Sequence, residues 1–210
     1  KRINIDNIFS LNRLGLNDAV EGGASLTYGV EFLKTDKYSG KDFFGAKIAN
    51  VFRVEENKNL PNSSKLGEKT SDIVGSINFN PNNVFKIKYD FSVDDNLKDN
   101  NYELLTTEFK VNNFVTSFEY LNENNTSGKE SYLTNKTSYT INDSKSLIFE
   151  SRENKKTNLT EFYNLIYQYR NDCLIAALEY NKNYYTDQDL KPEENIFFKL
   201  TIIPFGQTSS

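Results

Sequence analysis

Phe85-Lys86-Ile87-Lys88-Tyr89-Asp90-Phe91-Ser92-Val93 alternates apolar and polar residues without a break. Successive side chains of a strand point to opposite faces, so one face of this segment is apolar and the other charged. Stretches of the same kind, about ten residues long, recur to the end of the chain and are separated by turns that run short, then long, then short. A soluble sandwich also alternates. Many strands of about nine to eleven residues with connections of alternating length fit a β-barrel that crosses a bilayer better.

Composition agrees with a barrel and removes other classes. The 210 residues show no compositional break, so one domain is expected. With 37% hydrophobic residues and a mean hydropathy of −0.64, there is no apolar run of about eighteen residues for a membrane helix. Barrel strands keep mean hydropathy low, because only alternate positions meet lipid, while aromatics run high, here 13 Tyr and 16 Phe. A net charge of −4 provides no basic surface for nucleic acid. Lys1 opens the chain with no signal peptide before it, so a mature protein or a fragment of one is expected.

After an irregular opening over 1–23, strands are expected at about 24–34, 43–54, 70–79, 83–93, 101–111, 114–121, 130–140, 145–153, 158–170, 173–182 and 195–203. Asn80-Pro81-Asn82, Asn112-Asn113, Asn142-Asp143 and Asn171-Asp172 carry tight-turn chemistry. Glu55 to Lys69, Asp94 to Asn100, Asn122 to Lys129 and Asn183 to Glu194 read as longer polar loops. In bacterial outer-membrane barrels the short turns are periplasmic and the long loops outside. The opening 1–23 is then an extracellular loop, 24–203 the strands and turns, and 204–210 a periplasmic tail, with Thr35 to Asp42 longer than its side prefers. Eleven strands, the first descending, do not close as an ordinary barrel, and bare edges in lipid are costly. The fold class expected is therefore an all-β, antiparallel transmembrane β-barrel of which this is the C-terminal segment. A sheet that curls up alone or pairs with itself is the lesser alternative.

Chemistry is mostly excluded. Histidine is absent, which removes the His-dependent nucleophile arrangements, and no enzyme, metal site or cofactor is expected. Asp94-Asp95 and Asp187-Gln188-Asp189 have the oxygens for a hard cation but lack the glycine and closing Glu of a dedicated loop, so they read as solvated acids. Gly22-Gly23 and Gly67 make no phosphate loop. The Asn-x-Ser/Thr triplets at Asn62, Asn124 and Asn135 are what so much Asn, Ser and Thr gives by chance. Cys173 is alone, so it is a free thiol or its partner lies outside these residues. It sits on the side opposite Leu174, Ala176, Leu178 and Tyr180, just after the Asn171-Asp172 turn, and the plain reading is a small residue filling the rim.

The opening Asn7-Ile8-Phe9-Ser10-Leu11-Asn12-Arg13-Leu14-Gly15-Leu16-Asn17-Asp18-Ala19-Val20-Glu21-Gly22-Gly23, then Tyr28-Gly29-Val30, resembles a motif of the LptD family of outer-membrane lipopolysaccharide (LPS) assembly proteins. There the pattern is close to N-L-F-x-x-N-R-x-x-G-x-D-R-x-E-x-G and then Y-G-L. Asn12, Arg13, Gly15, Asp18, Glu21 and Gly23 carry the match. Leu60-Pro61-Asn62 with Ser71-Asp72-Ile73-Val74-Gly75, Tyr169-Arg170-Asn171-Asp172-Cys173, and Asp189-Leu190-Lys191-Pro192 running to Pro204-Phe205-Gly206 agree in the same order.

The resemblance implies a translocon in the bacterial outer membrane, not an enzyme, that delivers LPS to the outer leaflet. Its implied partners are LPS, an LptE-type plug lipoprotein in the lumen, a periplasmic LPS-bridge protein reached through an N-terminal domain outside this chain, and the barrel-assembly machinery. It implies that Cys173 bonds to a cysteine of that N-terminal domain, although Leu174 stands where many members have a second cysteine. It also implies that the last strand, with Ile196, Phe198, Leu200 and Ile202 outward, is one lip of a lateral gate. Pro192 and Pro204 flank this strand and each lacks a backbone donor, so its pairing is expected to be short. Ala19 departs from the family's Arg, and any contact that Arg makes is absent here. The competing classes are a diffusion porin or other transporter barrel, which is not expected to carry the opening motif or the cysteine at the rim, and a soluble or surface-attached carbohydrate-binding sandwich, whose exposed aromatics would line a groove and not form a band.

Overall fold

The computed structural model describes residues 2–11, 13, 21–60, 63–125, 128–184 and 192–203. Its eleven strands are β1 (Ser25–Thr35), β2 (Asp42–Arg53), β3 (Ile73–Phe79), β4 (Phe85–Val93), β5 (Asn100–Val111), β6 (Phe114–Asn125), β7 (Gly128–Asn142), β8 (Lys145–Asn154), β9 (Leu159–Arg170), β10 (Leu174–Asn183) and β11 (Glu193–Ile202). They form one sheet in sequence order, with β1 and β11 at the ends. The chain divides into two compact units, residues 1–107 with 120–131, and residues 108–119 with 132–210.

In the first unit the register lines residues up in rows across β1 to β4. Val30, Ile48, Gly75 and Phe91 form one row, and Phe32, Ala46, Ile77 and Tyr89 the next. On the other face the rows are Glu31, Lys47, Ser76 and Asp90, then Leu33, Gly45, Asn78 and Lys88. The second unit repeats the division over β7 to β11. Tyr139, Leu147, Tyr167, Leu178 and Phe198 align on one face, and Lys136, Glu150, Asn164, Asn181 and Asn195 on the other. The apolar rows are open: Val30, Phe32, Ile48 and Phe198 are all exposed. An apolar surface of this extent needs an apolar solvent or a partner.

A hydrogen-bonded trio interrupts the apolar face of the second unit. Thr116 Oγ1 and Thr137 Oγ1 lie 2.8 Å apart, Asn135 Nδ2 donates to Thr116 Oγ1 at 3.2 Å and to the Ser117 carbonyl at 3.1 Å, and Thr137 donates to Asn135 Oδ1 at 3.1 Å.

The expected strands are all present, with differences at their ends. β6 and β7 run on to Asn125 and from Gly128, so Asn122 to Lys129 is strand on both sides instead of a long loop. Polar side chains tie this end down: Asn122 donates to Glu103, Glu123 takes Arg2, and Ser131 bonds Tyr120. β3 begins at Ile73 and not near 70, because Thr70 makes only an isolated bridge to Phe52 while Ser71 turns its hydroxyl onto the Val51 amide. The turn over 36–41, long for its side, closes on its own backbone bonds, Asp36 N to Lys41 O and Gly40 N to Asp36 O, with Gly40 at a positive φ of 66°.

The core lies on the charged side of the first unit. Ile3 and Ile8 of the opening segment pack with Ala49 and Val51 of β2, Val74 of β3, and Leu60 and Leu66 of the connection between those strands. Here a few small apolar residues break the polar rows, and the opening segment covers them.

If the apolar rows face lipid, Arg at Ile87 should cost about 2–4 kcal/mol in folding free energy and Arg at Lys88 close to nothing. The same should hold for the other outward residues Phe85, Tyr89, Phe91, Val93, Phe114, Phe118 and Tyr120 against Lys86 and Glu119. Urea titration of refolding into vesicles, with the two single variants side by side, checks the register, since a slip by one residue exchanges the two results.

Candidate functional site

The opening motif closes over a buried cluster of charges. Arg53, at the end of β2, is 1% exposed; its Nε donates to the Leu66 carbonyl at 2.7 Å and its Nη1 to the Gly22 carbonyl at 2.9 Å. Its Nη2 donates to Glu21 Oε1. The same oxygen accepts Arg13 Nη1 at 2.5 Å, and Arg13 reaches the Ile8 carbonyl at 2.7 Å and Thr27 Oγ1 at 2.6 Å. Gly23 follows at a positive φ of 86°, and a Cβ there would lie 3.5 Å from Arg53 Nη1. The turn can therefore deliver Gly22 O to the guanidinium without strain. Two cations share one anion out of water, and the Ile8, Gly22 and Leu66 carbonyls and the Thr27 hydroxyl take further donors.

Further contacts fasten the opening segment to the polar face. Arg2 donates to Glu123 at 3.1 Å and to the Asn124 carbonyl at 3.2 Å, and its guanidinium lies 5.2 Å from the centre of the Tyr102 ring. Ile3 N donates to Ser64 Oγ at 3.2 Å. Asp72, fully buried, accepts Ser92 Oγ at 3.0 Å and Asn101 Nδ2 at 2.9 Å on its Oδ2.

Of the residues the sequence singles out, Arg13, Glu21 and Gly23 come together here, while Asn12, Gly15, Asp18 and Ala19 lie outside the described residues. Arg53 belongs to the cluster and the sequence reading missed it. The available signal was a lone arginine closing Asp42-Phe43-Phe44-Gly45-Ala46-Lys47-Ile48-Ala49-Asn50-Val51-Phe52-Arg53, on the same face as Val51. Asp94 and Asp95, considered for a hard cation, hold Lys65 instead: its Nζ bonds Asp94 and lies 3.4 Å from Asp95. Hydrogen bonding from Asp95, then from Lys65, brings the Asp94 carboxyl down to about 2. Asp187 to Asp189 lie outside the described residues, among which no group of three or more metal-ligating side chains occurs.

At the far end of the sheet, β11 pairs with β10 from Leu174↔Ile202 to Asn183↔Glu193, and Ile203 N adds a bond to the Cys173 carbonyl at 2.8 Å. The ladder to β10 is thus full length and not short. Pro192 precedes the first pair and removes no donor from it, and Pro204 lies outside the described residues. Ile196, Phe198, Leu200 and Ile202 share the apolar face and are all exposed. Cys173 is a half-buried free thiol in the turn before β10, its amide bonded to Asn171 Oδ1 at 3.0 Å.

The family model for LptD, described as LPS transport system D, matches residues 2–148. The chain belongs to the LptD family. No curated protein matches it. The LptD match takes in the opening segment, the Arg13–Glu21–Arg53 cluster and the sheet from β1 into β8, and Cys173 and β11 lie beyond it. LptD is a family of LPS transport and assembly at the outer membrane, not an enzyme family, and an antiparallel all-β sheet fits that location.

Replacing Glu21 by Gln leaves two buried guanidinium groups without their counter-charge and should destabilise the fold by about 3–5 kcal/mol. Glu31→Gln, in the exposed pair with Lys47 at 2.8 Å, should cost no more than about 1 kcal/mol. Denaturant titration of both variants in one detergent compares them directly.

Proposed function

We propose that this chain is the C-terminal part of the membrane-embedded barrel of an LPS translocon in the bacterial outer membrane. In this reading 1–23 is a loop of the outer side that folds back onto the lumenal wall, 24–203 are the strands and turns, and 204–210 is the periplasmic tail. The observation that carries it is the LptD match over residues 2–148. The two-faced rows support it: an apolar face toward lipid and a charged, hydrogen-bonding face toward a lumen that passes a polar headgroup and holds an LptE-type plug lipoprotein. LPS enters from a periplasmic bridge protein through an N-terminal domain of the same polypeptide, and the barrel-assembly machinery inserts the sheet.

In the same reading β11 is one lip of the exit. Its inner edge is bonded to β10 throughout, so an opening runs along its outer edge, where ladder bonds to the first strand of the intact barrel are the ones to break. Ile196, Phe198, Leu200 and Ile202 keep the lip in the bilayer while the seam parts. A disulfide engineered from the outer edge of β11 to that first strand should stop LPS from reaching the cell surface while barrel assembly stays normal. LPS arriving at the surface with the crosslink fully formed excludes exit along this strand.

Cys173 gives a second test of the proposed topology. At a periplasmic turn it meets an oxidising compartment, and a bond to a cysteine of the N-terminal domain would make it inaccessible. In native membranes Cys173 should resist a thiol reagent until a reductant is added, read by non-reducing electrophoresis. Full labelling without reductant argues for a free rim thiol.

A further inference from the structure

The apolar face of the second unit ends in a polar row at the strand ends nearest the 155–158 connection. Asn135, Ser151, Tyr163, Lys182 and Glu194 align across β7 to β11, two residues beyond the row of Phe149, Leu165, Tyr180 and Ile196. Side chains two apart on a strand share a face, so the charges of Lys182 and Glu194 stand on the apolar side. Lys182 Nζ bonds Glu194 Oε1 and lies 5.2 Å from the centre of the Tyr184 ring. Tyr184 meets Tyr163 edge to face at 5.8 Å, and Tyr163 stacks on Phe149 at 6.0 Å. Rings grouped with a charged pair are what a barrel wall carries where hydrocarbon gives way to headgroups.

Little apolar height remains between that row and the tight turns at the other end. On β10 it consists of Leu174, Ala176, Leu178 and Tyr180, and on β11 of Ile196, Phe198, Leu200 and Ile202. On β8 it is Leu147 and Phe149 alone, because Lys145, paired with Tyr169, stands on the same face at the opposite end from Ser151. Leu174 to Tyr180 covers about 20 Å of strand, and a strand tilt of about 40° brings its height to about 15 Å. Phe85 to Val93 of β4, in the first unit, reaches about 20 Å on the same tilt. An outer-membrane barrel usually presents an apolar band about 25 Å tall.

From these heights we infer that β8 to β11 thin the bilayer they face. A bilayer of ordinary thickness would draw the Lys182–Glu194 pair and Ser151 into hydrocarbon at one end, or Lys145 and the turns at the other. The long stem of Lys145 can snorkel to the rim, but Glu194 and Ser151 have no such reach. Compressing lipid by a few ångströms costs less than carrying an ion pair into hydrocarbon, so the lipid yields. The inference rests on the proposed lipid-facing orientation of the apolar rows. It deepens the exit reading, because a headgroup leaving along β11 then has less hydrocarbon to cross than it would beside β4.

Cryo-electron microscopy of the full-length protein in nanodiscs of palmitoyl-oleoyl phosphatidylethanolamine and phosphatidylglycerol reads the thickness directly. The two headgroup layers should lie closer together beside β8 to β11 than beside β1 to β4 by about 5 Å, the difference in apolar height. Lys182→Leu combined with Glu194→Leu adds an apolar row on β10 and β11 and should close at least about half of that gap. Lys145→Leu combined with Ser151→Leu lengthens the band on β8 at both ends and should act in the same direction, so the test stands if one pair of substitutions prevents assembly. Equal separations beside the two sets of strands, a larger one beside β8 to β11, or a gap that neither pair of substitutions reduces overturns the inference and leaves the lipid-facing reading in place. Headgroup layers that flank the apolar rows of neither unit overturn both.

Discussion

The pleat of a β-strand sends every second side chain to the same face, and everything else in this chain depends on that period being kept from strand to strand. A row such as Val30, Ile48, Gly75 and Phe91 exists only because three separate pairings hold one register. Sliding β3 by one residue would bring Ser76 into the apolar row and Ile77 among the charges. The tight turns fix that register locally. Asn82 Oδ1 accepts the Val84 and Phe85 amides, and Asn171 Oδ1 those of Cys173 and Leu174, so each hairpin starts its ladder at a defined residue.

The second constraint acts on the other face. Small residues at Ala49 and Val51 leave room against β2, and the opening segment fills it with Ile3 and Ile8. That packing is short of apolar area, and the Arg13–Glu21–Arg53 cluster supplies geometric definition in place of a larger core. Buried ion pairs of this kind add little net stability but penalise any arrangement that separates them. The cluster thus specifies where the segment lies. Its members come from the opening segment, the residues just before β1 and the end of β2, so the path of the chain into its first strand is set by charge pairing.

Much of this architecture was legible in the sequence because period two is a local signal. Phe85 to Val93 announces its own faces, and Asn112-Asn113 announces its own turn. The unread parts are those where the decisive partner is distant. Asn122 to Lys129 is polar and has the composition of a loop, but Glu103 and Arg2 hold Asn122 and Glu123 by their side chains, and β6 runs on to Asn125. Arg53 gave no hint beyond its lone position among apolar residues, because its partners lie at Gly22, Glu21 and Leu66. The Glu21–Arg13 pairing was visible only as members of one motif. Pro192 was read as a breaker of pairing, yet β11 begins just after it and uses every position against β10.

The trio of Thr116, Asn135 and Thr137 has a consequence for how this surface can change over time. Each member is both donor and acceptor to another, so its polar atoms are spent inside the group and offer little to the surroundings. Losing any one of the three strands hydrogen-bonding groups on the other two. Single steps toward an apolar surface here pass through a worse intermediate, while all three changed together would not. The three side chains thus form one hydrogen-bonding unit, and the Asn-x-Thr triplet that looked accidental in the sequence supplies two of its three members.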